Sequence, residues 1–174
     1  MVITISGTAG SGTTTIASQL ATKLNLRYVN AGMIMRDLAK QHDLTIVEFG
    51  EYIKDHPETD HEVDDRAVQE AKKGNVILEG RLSGYMIWHA GIQAVKVLLK
   101  VDRAHQVQRI AARDHISEKQ ASRQIEEREQ TNWERYGKLY GIDHDDEAWY
   151  DLVIDTSEMG VAEIVELVMW EVKG

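Results

Sequence analysis

Between residues 7 and 15 the chain reads Gly7-Thr8-Ala9-Gly10-Ser11-Gly12-Thr13-Thr14-Thr15, a run suited to holding an anion. Glycines let the backbone turn several N–H groups toward one point, and a helix starting at the end of such a run adds its partial positive charge. An apolar stretch precedes the run at residues 2–6, and Ile16, Leu20 and Leu24 follow at helical spacing. Strand, glycine loop and helix are therefore expected, the context in which such a loop cradles phosphates. Thr14 stands where the pattern G-x-x-x-x-G-K-[S/T] places a magnesium-binding hydroxyl, and Thr13 stands where it places lysine. Lys23 cannot stand in, since ten residues of helix span roughly 15 Å. A cation must reach the loop from elsewhere, and arginine is the candidate. A Gly/Thr turn that merely packs a helix on a strand is the plainer reading, but it needs fewer glycines.

Five arginines draw attention: Arg36, Arg81, Arg113, Arg128 and Arg135. Arg81 follows Glu79-Gly80 at the end of a short apolar run, where ligands of open α/β sheets bind. Arg128, Asn132 and Arg135 fall at i, i+4 and i+7, on one helix face. Guanidinium forks grip phosphoryl oxygens bidentately and stay charged when desolvated. Together with the loop, the set points to a second anionic substrate opposite the first. Arg109 and Arg123 read as solvated or ion-paired surface residues.

Glu79 has two readings, one orienting magnesium-bound water and the other pairing with a neighbouring arginine. Tyr85 and Trp88, just after Arg81, are spaced to stack on a base. The remaining tryptophans read as packing residues. His56 with His61, and the run from Asp143 to Glu147, lack a recognised metal-ligand spacing and read as solvated loops.

These groups need a frame. Apolar runs at residues 2–6, 27–29, 76–78, 95–101 and 152–154 alternate with helical patterns such as Val161, Ile164, Val165 and Val168. That alternation predicts an α/β fold, a parallel sheet flanked by helices. Residues 117–140 begin with the capping box Ser117/Gln120 and continue as a helix charged on most faces, which predicts a solvent-exposed arm outside the core. The 174 residues hold one Pro and no Ser/Gly-rich linker, so a single domain over residues 1–174 is expected.

Composition excludes several classes. Asp+Glu 29 against Lys+Arg 20 gives a net charge of −9, which disfavours nucleic-acid or membrane-surface binding, although local arginines can reverse the sign in one cleft. With Cys 0, disulfides, thiolate metal sites and cysteine nucleophiles are out. The first 22 residues lack the basic start and long apolar run of a targeting segment or span. A cytoplasmic monomer is expected.

The residues resemble the cytidylate kinases, most closely their archaeal-type branch, along the whole chain. The resemblance is carried by Gly12-Thr13-Thr14-Thr15, Tyr28-Val29-Asn30-Ala31-Gly32, Glu48-Phe49-Gly50-Glu51-Tyr52, Leu78-Glu79-Gly80-Arg81-Leu82, Tyr140-Gly141-Ile142-Asp143 and Tyr150-Asp151-Leu152-Val153-Ile154-Asp155-Thr156-Ser157. It implies a P-loop kinase core with a monophosphate-binding insertion at about residues 30–75 and a helical lid at about 115–145. It implies transfer of the γ-phosphoryl group of ATP to CMP or dCMP with Mg²⁺. By the same resemblance Gly7 to Thr15 hold the ATP phosphates, Thr14 contacts Mg²⁺, Arg36 and Arg81 grip the acceptor phosphate, and Arg128, Asn132 and Arg135 form the lid pattern. Bacterial relatives carry serine and aspartate where Ala31 and Leu82 stand here, so their sugar and base contacts do not transfer.

Such chemistry needs no general base, because the acceptor is already an ionised phosphate. Two rivals stay open at this point. One keeps the fold with UMP, AMP or a small alcohol as acceptor; the other is a nucleotide sensor that lost catalysis with the P-loop lysine.

Overall fold

Five short strands rich in β-branched residues lie side by side: β1 (Val2–Gly7), β2 (Arg27–Asn30), β3 (Val76–Glu79), β4 (Val95–Lys100) and β5 (Leu152–Asp155). Each begins where the apolar run predicts it and ends within a residue of the predicted end. The structure, a computed structural model, describes residues 1–56, 58–142 and 146–173. All pairings are parallel, in the order β2-β3-β1-β4-β5. The chain passes from one side of β1 to the other between β3 and β4, so the sheet's switch point lies at the C-terminal end of β1, where ligands of open α/β sheets bind.

Helices cover both faces. On one, Ile16, Ala17 and Leu20 of α1 (Thr13–Leu24) and Ile164, Val165 and Val168 of α8 (Val161–Lys173) pack on Ile3, Ile5, Val97 and Leu99. On the other, Ala71 of α4 (Glu58–Lys72) and Ile87 of α5 (Ser83–His89) meet Val2, Val76 and Leu78. A parallel sheet buried on both faces has continuous apolar strands, as the sequence has.

Two further apolar clusters lie beyond the sheet. Ile34 and Leu38 of α2 (Ala31–Gln41), Phe49 of α3 (Ile46–Asp55) and Val63 of α4 form one. Ile110 and Ala111 of α6 (Arg103–Asp114) and Ala121 and Ile125 of α7 (Glu118–Tyr140) form the other. The second cluster corrects the expectation of an arm polar all round. α7 carries an apolar edge that seats its first half on α6, and Tyr136 near its far end is buried against Leu82, Tyr85 and Met86. The predicted Ser117/Gln120 capping box is present.

Packing also corrects the reading of the tryptophans. Trp149 meets the Tyr85 ring edge-on, but Trp133 and Trp170 are exposed. No described helix is long and apolar enough to cross a membrane.

Candidate active site

The glycine loop follows β1 at the switch point and opens into α1. Gly10 and Gly12 have φ near +90°, a region costly for any residue with a Cβ. At Gly7 space is the constraint: a Cβ would sit 2.5 Å from the Leu99 carbonyl. Gly12 caps α1 without a side-chain bond, so the helix start offers its free N–H groups to an anion.

The loop is held from outside. Gln106 Nε2 donates to the Ala9 carbonyl at 2.9 Å, Arg109 Nη1 to the Gly10 carbonyl at 3.2 Å, and the Thr156 hydroxyl lies 3.0 Å from the Ser11 carbonyl. Because a peptide N–H points opposite its carbonyl, tying back the Ala9 and Ser11 carbonyls aims the N–H groups of Gly10 and Gly12 away from these anchors. Arg109 is itself fixed, donating also to the Thr156 hydroxyl at 3.1 Å and to the Thr156 and Ser157 carbonyls.

Glu79, at the end of β3, joins the loop to the neighbouring strand. Its carboxylate accepts from Thr13 Oγ1 at 2.9 Å, Thr14 Oγ1 at 3.3 Å and the Tyr28 hydroxyl at 2.7 Å. Asn30 Nδ2 donates to Tyr28 Oη at 2.8 Å, and Asn30 Oδ1 caps α2 by accepting from the Met33 N–H. Hydroxyls supply these described bonds of Glu79, where the sequence also allowed an arginine partner. Burial, reinforced by the bond to Glu79, pushes the Tyr28 phenol above its usual range and keeps it a donor. Thr13, in the lysine position, is thus a hydrogen-bonded spacer.

A cleft of about 690 Å³ lies over the loop. Gly7, Thr8, Ala9, Gly10, Gly12, Thr13, Thr14 and Thr15 line it, facing Arg81, Arg109, Arg113, Arg128 and Asn132. Among the described residues, four arginines against the carboxylate of Glu79 reverse the sign of a chain that is −9 overall. Asn132 bonds the Arg128 carbonyl one turn back in α7. Arg113 is partly neutralised by a two-pronged pair with Asp114 at 2.7 and 2.8 Å.

A smaller pocket of about 160 Å³ adjoins it between β2, α2, α4 and α5, with Ala31, Glu79, Arg81 and Tyr136 lining both. The structure therefore brings together the loop, Arg81, Arg128 and Asn132. Ser11 is buried and bonds the Thr8 carbonyl, shaping the loop rather than lining the cleft. Arg36 is exposed on α2 near Gly32 and lines neither cavity. The side chain of Arg135 lies outside the described residues, as do Asp143, His144 and Asp145.

One expectation fails. Tyr85 is 6% exposed and packed between His89 and Trp149, so its ring is already covered and lines neither cavity; Trp88 lies beside it, outside both. Sequence reasoning also passed over Gln106, Arg109 and Thr156. The loop groups they hold are backbone carbonyls far away in sequence, and only the position of Thr156 just past a strand end hints at a site.

Comparison with known proteins agrees with this geometry. The family model described as the cytidylate kinase-like family matches residues 2–158. A cytidylate kinase of Methanocaldococcus jannaschii is 43% identical over 169 residues, covering 97% of this chain and 95% of that protein. One from Pyrococcus abyssi is 46% identical over 158 residues, covering 91% and 86%. Among solved structures, an uncharacterized protein from Eubacterium ventriosum superposes with TM-score 0.75 at 15% identity, covering 100% of this chain and 99% of that one. Shikimate kinase from Aquifex aeolicus gives 0.63 at 17% identity, covering 100% and 97%, so the two chains share a fold. With a family match over residues 2–158 and relatives more than 40% identical along most of both chains, this chain belongs to the cytidylate kinase-like family and is a kinase.

Proposed function

We propose that this enzyme transfers the γ-phosphoryl group of ATP to the phosphate of CMP or dCMP, giving ADP and CDP or dCDP. The observation that carries the reading is the cleft in which the glycine loop faces Arg81, Arg109, Arg113 and Arg128 and which opens onto a second, mostly apolar pocket. A triphosphate fits the loop, a nucleoside fits the pocket, and Arg81 lies where the two phosphates would meet.

An oxygen of the acceptor phosphate attacks the γ-phosphorus in line, a new P–O bond forms, and the bridging oxygen leaves with its electron pair on ADP. The acceptor is already ionised, so no base is required. Gly10 and Gly12 N–H groups and the start of α1 hold the donor phosphates, Arg81 holds the acceptor, and Arg128 with Arg135 and Asn132 bring α7 over both. The arginines stabilise charge as it spreads over the transferring group, and a closed arm keeps water from competing. Arg36, one helix turn from Gly32, would reach the acceptor only by swinging inward.

Magnesium fits the residues present. The Thr14 hydroxyl and the Glu79 carboxylate offer hard oxygen donors 3.3 Å apart at the loop. When bound, it would neutralise charge on the donor phosphates. The insertion at about residues 30–75 and the lid at about 115–145 correspond to the α2–α4 and α7 clusters. We take the enzyme to be a cytoplasmic monomer, as its sequence suggests.

The test is ADP formation by the purified protein with ATP, Mg²⁺ and CMP, dCMP, UMP, AMP or no acceptor. Turnover confined to CMP and dCMP is expected. ATP binding without turnover for any acceptor would overturn the reading and make Thr13 the mark of a lost activity.

A further inference from the structure

We infer that Gln106 is a positioning residue that locks the phosphate loop and the arginine-bearing arm into one register, by bonding the loop at Ala9 and the arm at Glu129; this rests on the kinase reading above. Gln106 lies on α6 and is 4% exposed. Burying an amide is costly unless its polar atoms find partners, and an apolar side chain would fill the same space. Here both amide hydrogens and the oxygen are used. Nε2 donates to the Ala9 carbonyl at 2.9 Å and to Glu129 Oε1 at 3.3 Å, while Oε1 accepts from Arg103 Nη1 at 3.3 Å.

One nitrogen thus serves two segments that must meet the same reacting group. The loop side is tight. A Cβ at Gly10 would lie 3.2 Å from Gln106 Cγ, so the loop rests directly on this side chain. The arm side sets a rotation. Successive residues of a helix point roughly 100° apart, so holding Glu129 toward α6 turns Arg128 and, one turn on, Asn132 toward the cleft that both line.

On α7 the apolar cluster shared with α6 ends at Ile125. Beyond it the described ties between the two helices are Arg103 to Glu126 at 3.1 Å, Arg103 to Glu129 at 3.6 Å and Gln106 to Glu129. A cleft of about 530 Å³, lined by Thr8, Gln106, Glu126, Glu129 and Trp133, opens between loop and arm at this level, so polar contacts set the spacing. The two arginine pairs are solvent-exposed and contribute little. Of these ties, the Gln106 bond is the one whose donor also holds the loop. Since about 1 Å of misplacement at the reacting atoms can cost about a hundredfold in rate, a shared tie matters more to transfer than to binding of either substrate.

The experiment measures the single-turnover rate of phosphoryl transfer from ATP to CMP, and ATP affinity by titration calorimetry, in the full chain and its variants. Glu129→Ala frees the arm but leaves Gln106 on the loop, so the rate should fall about tenfold with ATP affinity within about twofold of wild type. Glu129→Gln removes the charge yet still accepts from Gln106, and should recover most of that loss. Gln106→Met keeps the volume and cuts both ties. It should lower the rate about tenfold and weaken ATP binding as well, and adding Glu129→Ala to it should cost no more than about twofold further in rate. The proposal is overturned by a Glu129→Ala rate within about twofold of wild type, by a Glu129→Gln rate as low as that of Glu129→Ala, or by losses that multiply in the double variant. Glu129 is half-exposed, so its two variants decide the question even where Gln106→Met does not fold. Absence of transfer to CMP in the wild type would instead sink the kinase reading itself.

Discussion

Replacing Arg109 by lysine preserves the charge and removes the fork, so it isolates what the geometry does. The guanidinium bonds four acceptors, namely the Gly10 carbonyl, the Thr156 hydroxyl and carbonyl, and the Ser157 carbonyl. An ammonium on a flexible stem cannot span them, and about two of the four should be lost. At about 1 kcal/mol each the loss is about 2 kcal/mol, which in a chain of this size lowers Tm by roughly 4–8 °C. The loop would no longer be held with its N–H groups aimed inward, so KM for ATP should rise about tenfold, equivalent to about 1.4 kcal/mol. KM for CMP should barely move, because Arg109 does not line the smaller pocket. Calorimetry and steady-state kinetics read both quantities. An unchanged Tm with unchanged KM for ATP, or equal rises for both substrates, would refute the view that Arg109 positions the phosphate loop.

Three other outcomes follow from the same geometry. Arg128→Ala should lower kcat by about a hundredfold while ATP binding, measured by titration calorimetry, stays near the wild-type value; a loss confined to ATP binding would argue against a role in the transfer step. Gly84→Ala places a Cβ 2.3 Å from the Tyr150 ring and should cost about 1–3 kcal/mol in urea unfolding; a neutral result would mean that the ring moves freely. Tyr28→Phe removes the bond to Glu79 and should cost about 1 kcal/mol at neutral pH. Since the folded phenol titrates above its unfolded value of 10.0, that contribution is present below the unfolded value and is lost as pH rises through the folded one. The gap between wild type and variant should therefore close at strongly alkaline pH, and a gap constant with pH would show that the hydroxyl does not act through this bond.

Much of the frame could be read from one dimension, because it depends on local rules. The five apolar runs mark strands to within a residue of their ends, and the Gly7–Thr15 loop lies where strand and helix periods meet. Arg81 declares itself by following a strand end. What stayed hidden depends on contacts between distant segments. Arg109 reads as a surface charge because its acceptors, three main-chain oxygens and the Thr156 hydroxyl, lie up to 99 positions away. Tyr85 was misassigned because spacing cannot tell a ring covered by Trp149 from one left bare for a base. α7 reads as polar because its apolar edge is sparse, with Ala121 and Ile125 one turn apart.

The bond between Thr156 and the Ser11 carbonyl spans 145 positions, and its consequence lies in the order of synthesis. The glycine loop leaves the ribosome well before the hydroxyl that ties it down and the carbonyls that anchor Arg109. A nascent chain can pair β1 with β3 and β4 and still lack a set phosphate loop, so competence to bind nucleotide arrives only when β5 and the turn after it dock. Nucleotide binding thus reports on completion of the fold, and a chain stalled before Thr156 would carry the loop sequence without its function.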